Sequence, residues 1–166
     1  GKFFSDEEYI VSENEINCFK PNEKKFDELE NLYSALVYSL RNYMHKNRFK
    51  KAIIGLSGGI DSALCLMITA DALGSENVNS FFLPSTYTSS ESKKDAYQLA
   101  KKLEIDLKDI SIESMRKKIL NELSFLFEGL PQNITEENIQ SRIRGLILMA
   151  VSNKFNSLLI ATGNKS

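Results

Sequence analysis

A cluster of small, acidic and hydroxyl-bearing residues follows a short apolar run in the first half of the chain. Residues 55–62 read GLSGGIDS, and residues 52–54 before them read AII. Gly58 and Gly59 allow backbone N–H groups to approach a ligand closely, because they carry no side chain that would block it. The first turn of a following helix adds unpaired N–H donors and the positive end of its dipole. A strand, a glycine loop and a helix in this order are typical of a phosphate site.

An acid distinguishes this loop from commoner phosphate loops. The pattern G-x-x-x-x-G-K-[ST] requires a lysine that is absent here, and the spacing G-x-G-x-x-G also fails. Asp61 stands in the loop instead. A carboxylate beside a phosphate is favourable when a hard cation such as Mg²⁺ lies between them. The plain alternative is an ordinary turn that places Asp61 and Ser62 at the start of a helix.

The remaining periodicities predict an α/β fold. Strands are expected to end before Ser57 and to span residues 79–83, 107–112 and 157–162. Helices are expected over 26–46, 91–103 and 113–127, followed by a long helix capped by Thr135. This order implies a doubly wound parallel sheet with helices on both faces and right-handed crossovers. Residues 1–25 are interpreted as a linker or arm with one short strand near 9–11, and residues 26–166 as the domain.

Two further stretches carry polar groups that could bind a ligand. The hydroxyl-rich residues 85–92 follow the second predicted strand, at the sheet edge where ligands of open α/β sheets bind. The same hydroxyls fit a capping box that starts at Thr88 or at Ser92. Asn138, Arg142 and Gly145 share one face of the long helix and could hold a planar polar ligand. That face could equally be solvated, with Arg142 paired to Asn138 or Glu137.

Composition excludes several classes of function. The chain has 166 residues, is 42% hydrophobic and carries a formal charge of −1, so nothing in its overall charge favours nucleic acid. Cys18 and Cys65 form no CxxC motif, which indicates a reducing compartment and no structural zinc. His45 is the only histidine, and a serine hydrolase is not expected. Without a long apolar run the chain is predicted to be cytoplasmic and free of membrane.

The glycine loop resembles the pyrophosphatase loop of N-type ATP pyrophosphatases. Three other stretches are similar to NAD synthetases, and above all to the synthetase domain of the glutamine-dependent form. They are LPSTYTS at 83–89, FEGLP at 127–131 with TEENIQSRIRG at 135–145, and LLIATGNKS at 158–166. The resemblance implies an adenine-nucleotide α-hydrolase-like fold.

The resemblance also implies a reaction and its residues. Deamido-NAD is amidated to NAD through an adenylate, ATP is split into AMP and pyrophosphate, and the nitrogen is supplied as ammonia or by glutamine. Ser57 and Asp61 would act in catalysis, Asp61 would bind Mg²⁺, and Asn138 and Arg142 would bind deamido-NAD. The residues implied in ATP binding are Gly55, Leu56, Ser57, Gly58, Gly59, Ile60, Asp61, Ser62 and Thr162.

The same resemblance implies that the domain is partial, with its C-terminal part missing. In the family an acidic ligand follows the GNKS stretch, and the sequence here ends at Ser166. A glutaminase domain would precede the chain in the parent protein, which is expected to form a homodimer or a larger homo-oligomer. Two alternatives remain: another N-type ATP pyrophosphatase, or a non-catalytic nucleotide-binding module of the same fold.

Overall fold

A computed structural model describes residues 27–162, which form alternating strands and helices. In chain order the elements are α1 (Glu28–Lys46), β1 (Ala52–Gly55), α2 (Ile60–Leu73), a 3₁₀ turn (Ser75–Asn77), β2 (Val78–Phe82), α3 (Ser90–Lys102), β3 (Leu107–Asp109), α4 (Glu113–Leu123), α5 (Ile134–Phe155) and β4 (Leu158–Ile160). The strand expected near 9–11 lies outside the described residues. Among the described helices, none has the length and apolar character needed to cross a membrane.

The four strands form one parallel sheet in the order β3-β2-β1-β4. β1 is central, with Ala52 in register with Val78 of β2 on one side and Leu158 of β4 on the other. Parallel neighbours end at the same edge of a sheet, so the segments that follow β1, β2 and β4 lie at one edge. The predicted doubly wound parallel sheet is confirmed.

Helices cover both faces of this sheet. Successive residues of a strand point to opposite sides, so Ile54 packs with Leu66 of α2 and Ala96 of α3, while Ile53 packs with Ile143 of α5. All five side chains are at most 3% exposed. The glycine loop after β1 is therefore carried by a strand that is buried on both faces.

Helix α1 packs against α2 rather than against the sheet. The Tyr33 hydroxyl donates to the Asp71 carboxylate at 2.6 Å, and Arg41 donates to the carbonyl oxygens of Ala72 at 3.0 Å and Asp71 at 2.9 Å. The apolar face predicted for this helix is only partly covered, since Leu29 is 77% and Leu32 is 58% exposed.

Two helix starts differ from the sequence-based prediction. α3 is capped by Ser89, whose oxygen accepts from the Ser92 N–H, because Thr88 is already engaged with the Ser85 N–H in the preceding turn. α5 is capped by Asn133 and not by Thr135, since the Asn133 side chain accepts from the Thr135 N–H. In this second case the Asn-x-x-Glu form of the capping box is satisfied.

Candidate active site

Four hydrogen bonds fix the shape of the glycine loop. The buried Ser62 hydroxyl donates to the Gly59 carbonyl oxygen at 2.9 Å and accepts from the Ser57 N–H at 3.2 Å. The two hydroxyl oxygens lie 3.0 Å apart, so one hydroxyl donates to the other. The Ser57 oxygen in turn accepts from the Gly59 N–H at 3.2 Å. Both serine side chains therefore stabilise the conformation of the loop.

The loop keeps several backbone donors free. α2 begins at Ile60, and its N-cap, Gly59, supplies no side-chain cap. Within residues 27–162, the N–H groups of Gly58, Ile60 and Asp61 have no hydrogen-bond acceptor. Neighbouring free N–H groups at a helix start form a concave site for an anion. The backbone donors of this loop are arranged as expected at an anion site, and phosphate binding by the loop stays a prediction.

Two glycines allow this loop to sit where it does. Gly58 has a φ of +85°, and a Cβ there would lie 2.2 Å from the carbonyl oxygen of Ser92 in the first turn of α3. A Cβ on Gly55 would lie 2.9 Å from Cδ1 of Leu148 in α5. The first turn of α3 therefore forms one wall of the loop, and only glycine fits at position 58 without movement of backbone.

Asp61 presents an exposed carboxylate in the first turn of α2. It has no salt-bridge partner among the described residues. Burial, together with the negative charge of Asp61, raises the pKa of the Cys65 thiol one helical turn away. No group of three or more His, Cys, Asp or Glu side chains that could hold a metal occurs between residues 27 and 162. A lone carboxylate beside an anion site suits Mg²⁺, which is commonly held by one or two carboxylates together with substrate phosphates.

A polar cleft of about 430 Å³ opens between the β2–α3 loop and the start of α5. Its walls include Tyr87 and Thr88 on one side and Gln140 and Arg144 on the other. Gln140 is 8% exposed. Arg144 donates from Nε to the Leu83 carbonyl oxygen at 3.0 Å, and burial lowers the pKa of its guanidinium. Sequence reasoning missed both Gln140 and Arg144. The signal that could have found them is their position on the helix, beside the apolar row of Ile139, Ile143 and Ile147.

The predicted site residues fall into two groups. Thr162 follows β4, which pairs with β1 in a register that sets Ile160 beside Ile54. Thr162 and the glycine loop therefore lie at the same edge of the sheet. Asn138 and Arg142 are exposed on α5 and do not line the cleft. Arg142 forms no salt bridge within the described range, so the alternative in which it pairs with Glu137 is not observed.

Comparison with known protein families shows to which family the chain is related. A family model described as NAD synthase matches residues 32–166. The chain belongs to the NAD synthase family. Glutamine-dependent NAD(+) synthetase of Rhodobacter capsulatus is 49% identical over 139 residues, which cover 84% of this chain and 25% of the relative. The protein of the same name from Thermotoga maritima is 50% identical over 137 residues, 82% of this chain and 24% of the relative. The chain therefore spans about a quarter of the length of these curated relatives.

Solved structures of NAD synthase relatives share the fold. A glutamine-dependent NAD+ synthetase from Acinetobacter baumannii, in complex with ADP, is 39% identical with a TM-score of 0.85 over 88% of this chain and 28% of that one. An NMN synthetase from Francisella tularensis is 26% identical with a TM-score of 0.73, covering 81% of this chain and 54% of that one. The adenine-nucleotide α-hydrolase-like fold is thereby confirmed, while the two names show that products differ between similar chains.

Proposed function

We propose that the full-length protein carrying this chain is a glutamine-dependent NAD synthetase, a ligase that converts deamido-NAD to NAD and splits ATP into AMP and pyrophosphate. The observation that carries the proposal is the glycine loop, whose N–H donors beside Asp61 have no acceptor within residues 27–162, in a chain that is 49% identical to a glutamine-dependent NAD(+) synthetase. Residues 26–166 would form part of the synthetase domain and residues 1–25 a linker. The parent protein would add a glutaminase domain, work in the cytoplasm, and assemble as a homodimer or larger oligomer.

The loop suits a displacement at the α-phosphate of ATP. In the first step the nicotinate carboxylate of deamido-NAD attacks that phosphorus, and pyrophosphate leaves with the electron pair of the broken bond. Negative charge grows on the departing pyrophosphate, and the N–H groups of Gly58, Ile60 and Asp61 are fixed donors for such charge. Mg²⁺, held by the Asp61 carboxylate, would supply further neutralisation. Ser57 would contribute by shaping the loop around the phosphates, since its oxygen accepts from the Gly59 N–H and contacts the Ser62 hydroxyl.

The second step needs no protein nucleophile. Ammonia, derived from glutamine in the parent protein, attacks the carbonyl carbon of the adenylate, AMP leaves with the former carboxylate oxygen, and the nitrogen loses one proton to solvent. The exposed pair Asn138 and Arg142 would hold deamido-NAD through its polar and charged groups. Thr162, at the edge shared with the glycine loop, would contact ATP beside Gly55, Leu56 and the rest of that loop.

The decisive experiment is a product assay on the full-length protein with ATP, Mg²⁺ and glutamine or ammonium. Deamido-NAD should yield NAD, AMP and pyrophosphate in equal amounts. Release of ADP, or ATP cleavage that does not depend on deamido-NAD, would reject the proposal. The mononucleotide counterpart of deamido-NAD serves as the competing substrate, because a 26% identical neighbour is an NMN synthetase.

The same nucleotides distinguish two other candidate functions from the synthetase. Another N-type ATP pyrophosphatase would also release AMP and pyrophosphate, but with a different acceptor. A non-catalytic nucleotide-binding module would bind ATP in calorimetry, show no affinity for deamido-NAD, and form no product. Binding of both nucleotides with product formation leaves only the synthetase.

A further inference from the structure

The β2–α3 loop is held from outside by two charged side chains of α4. Glu113 and Arg116 form a two-pronged ion pair, with Arg116 Nε 3.2 Å from Oε2 and Nη2 2.8 Å from Oε1 of the carboxylate. Their side chains are only 17% and 10% exposed. Planar pairs of this kind fix direction as well as distance. The pair is therefore a rigid feature next to a loop that would otherwise face solvent.

Both members of the pair also contact the loop. Glu113 Oε2 accepts from the Thr86 hydroxyl at 3.3 Å and from the Thr86 N–H at 3.4 Å. The Arg116 guanidinium carbon lies 5.5 Å from the centre of the Tyr87 ring, within the range of a cation–π contact. Thr86 and Tyr87 are thus fixed by one carboxylate and one guanidinium. Neither residue of the pair belongs to the glycine loop or to the residues assigned to ATP or deamido-NAD.

The loop connects this pair to the candidate active site. Tyr87 and Thr88 line the polar cleft, and the next residue, Ser89, caps α3 through the Ser92 N–H at 3.0 Å. Ser92 is the residue against which Gly58 packs. A displacement of Thr86 and Tyr87 would therefore be transmitted over a few residues to the wall of the glycine loop.

We propose that Glu113 and Arg116 are positioning residues that set the β2–α3 loop against the glycine loop and thereby control the affinity for the ATP substrate. The inference rests on the proposed synthetase function, since ATP is the ligand of that loop. The two residues act through the loop and touch neither substrate. Their loss should weaken ATP binding and leave the chemical step nearly unchanged.

The first test compares Glu113→Gln with Glu122→Gln in the full-length protein. Glu122 forms an ion pair with Lys118 at 2.7 Å on the same helix and does not contact the loop, so it is a matched control. For Glu113→Gln we expect the KM for ATP to rise about fivefold, with kcat close to that of the unchanged protein. Glu122→Gln should change neither constant. Equal KM values for the two variants would overturn the proposal.

A double-mutant cycle separates positioning from general stability. Thr86→Val removes the hydroxyl that donates to Glu113 and should raise the KM for ATP in the same direction. If the two residues act through one contact, the double variant should resemble the single Glu113→Gln variant rather than multiply the two effects. Multiplied effects would reject coupling through the loop. Glu113→Asp, which keeps the charge, should restore part of the ATP affinity.

Hydrogen exchange of the 166-residue chain provides a readout that does not depend on the reaction. The amides of residues 86–89 should exchange faster in Glu113→Gln than in Glu122→Gln. Unchanged exchange at these amides would reject the positioning role even if the enzyme makes NAD. Faster exchange in a protein that makes no NAD would support the positioning role and reject the proposed function.

Discussion

At the scale of single residues, Gly58 is the position where backbone conformation and packing restrict the residue type most strongly. We expect Gly58→Ala to destabilise the chain by at least about 2 kcal/mol, because alanine is strained at a positive φ and its methyl group would lie 2.2 Å from the Ser92 oxygen. Chemical denaturation of the 166-residue chain measures this change. ATP binding in calorimetry should weaken at the same time.

Gly145→Ala is the matched control for this substitution. Gly145 lies within α5, and a Cβ there meets no atom within 4 Å. Alanine should therefore stabilise the helix by about 1 kcal/mol. Similar destabilisation of both variants would show that the close contact at Gly58 is unimportant.

Asp61→Asn tests whether the Asp61 carboxylate binds Mg²⁺. The change removes a charge from an exposed side chain without a salt-bridge partner in the described residues, so the fold should survive. We expect kcat of the full-length protein to fall by about 100-fold or more, and the Mg²⁺ concentration for half-maximal rate to rise.

The control for Asp61→Asn is Asp95→Asn, an equally conservative change at an exposed carboxylate of α3. It should leave the Mg²⁺ dependence unchanged. An Asp61→Asn enzyme with normal activity at limiting Mg²⁺ would remove Asp61 from the metal site.

The local arrangement of residues that are close in sequence could be predicted, and contacts between distant segments could not. The glycine loop and Asp61 were identifiable because strand, loop and helix are consecutive in the chain. Glu113 and Arg144 reach the β2–α3 loop from other helices, across 27 residues to Thr86 and 61 residues to Leu83. Helical spacing placed Arg144 beside the apolar row of α5, but it identifies no contact partner for either side chain, so both residues read as ordinary helical charges.

At the scale of elements, the contact between α1 and α2 predicts a dependence of stability on alkaline pH. Burial, followed by the hydrogen bond to Asp71 and the charge of Asp71, raises the pKa of Tyr33 to about 12. An unfolded tyrosine has a pKa of about 10. Because the folded pKa is the higher one, the contribution of Tyr33 is complete below pH 10 and is lost as the pH rises towards 12.

Urea unfolding between pH 9 and pH 11.5 measures this effect in the unchanged chain and in Tyr33→Phe. Lysines and other tyrosines titrate in both proteins, so the difference between their curves isolates Tyr33. The unchanged chain should lose unfolding free energy more steeply above pH 10 than Tyr33→Phe. Tyr43→Phe, at an exposed tyrosine of the same helix, should follow the unchanged chain. Parallel curves for the unchanged chain and Tyr33→Phe would contradict the assignment.

Element order was predictable from periodicity, whereas element starts were less so. Several hydroxyl and amide side chains precede α3 and α5, and each could serve as the cap. Ser89 rather than Thr88 caps α3 because Thr88 is already used by Ser85 in the preceding turn, and Asn133 caps α5 through a reciprocal capping box with Glu136. Such competition is decided by backbone geometry, which a sequence pattern does not contain.

At the scale of the whole molecule, the exposed apolar side chains of α1 predict binding of an apolar dye. Leu29 and Leu32 are more than half exposed and lie on one side of the helix. Grouped apolar side chains at a surface mark interaction sites or aggregation risk. The double variant Leu29→Lys/Leu32→Lys should lower 8-anilinonaphthalene-1-sulfonate fluorescence of the 166-residue chain and leave its melting temperature nearly unchanged.

Ser39→Lys is the control, because Ser39 is exposed on the same helix and carries no apolar side chain. It should not change the dye signal. Equal fluorescence of the double variant and the unchanged chain would show that the dye binds elsewhere.

The contact between Gly58 and Ser92 has a consequence for transplanting the motif. A peptide of residues 51–73 would contain every residue of β1, the glycine loop and α2, yet it would lack the first turn of α3 that supports Gly58. Grafting GLSGGIDS alone onto a foreign strand and helix should therefore not transfer nucleotide binding. A portable unit must therefore extend at least from β1 through the first turn of α3, since the loop is supported by a segment that follows it in the chain.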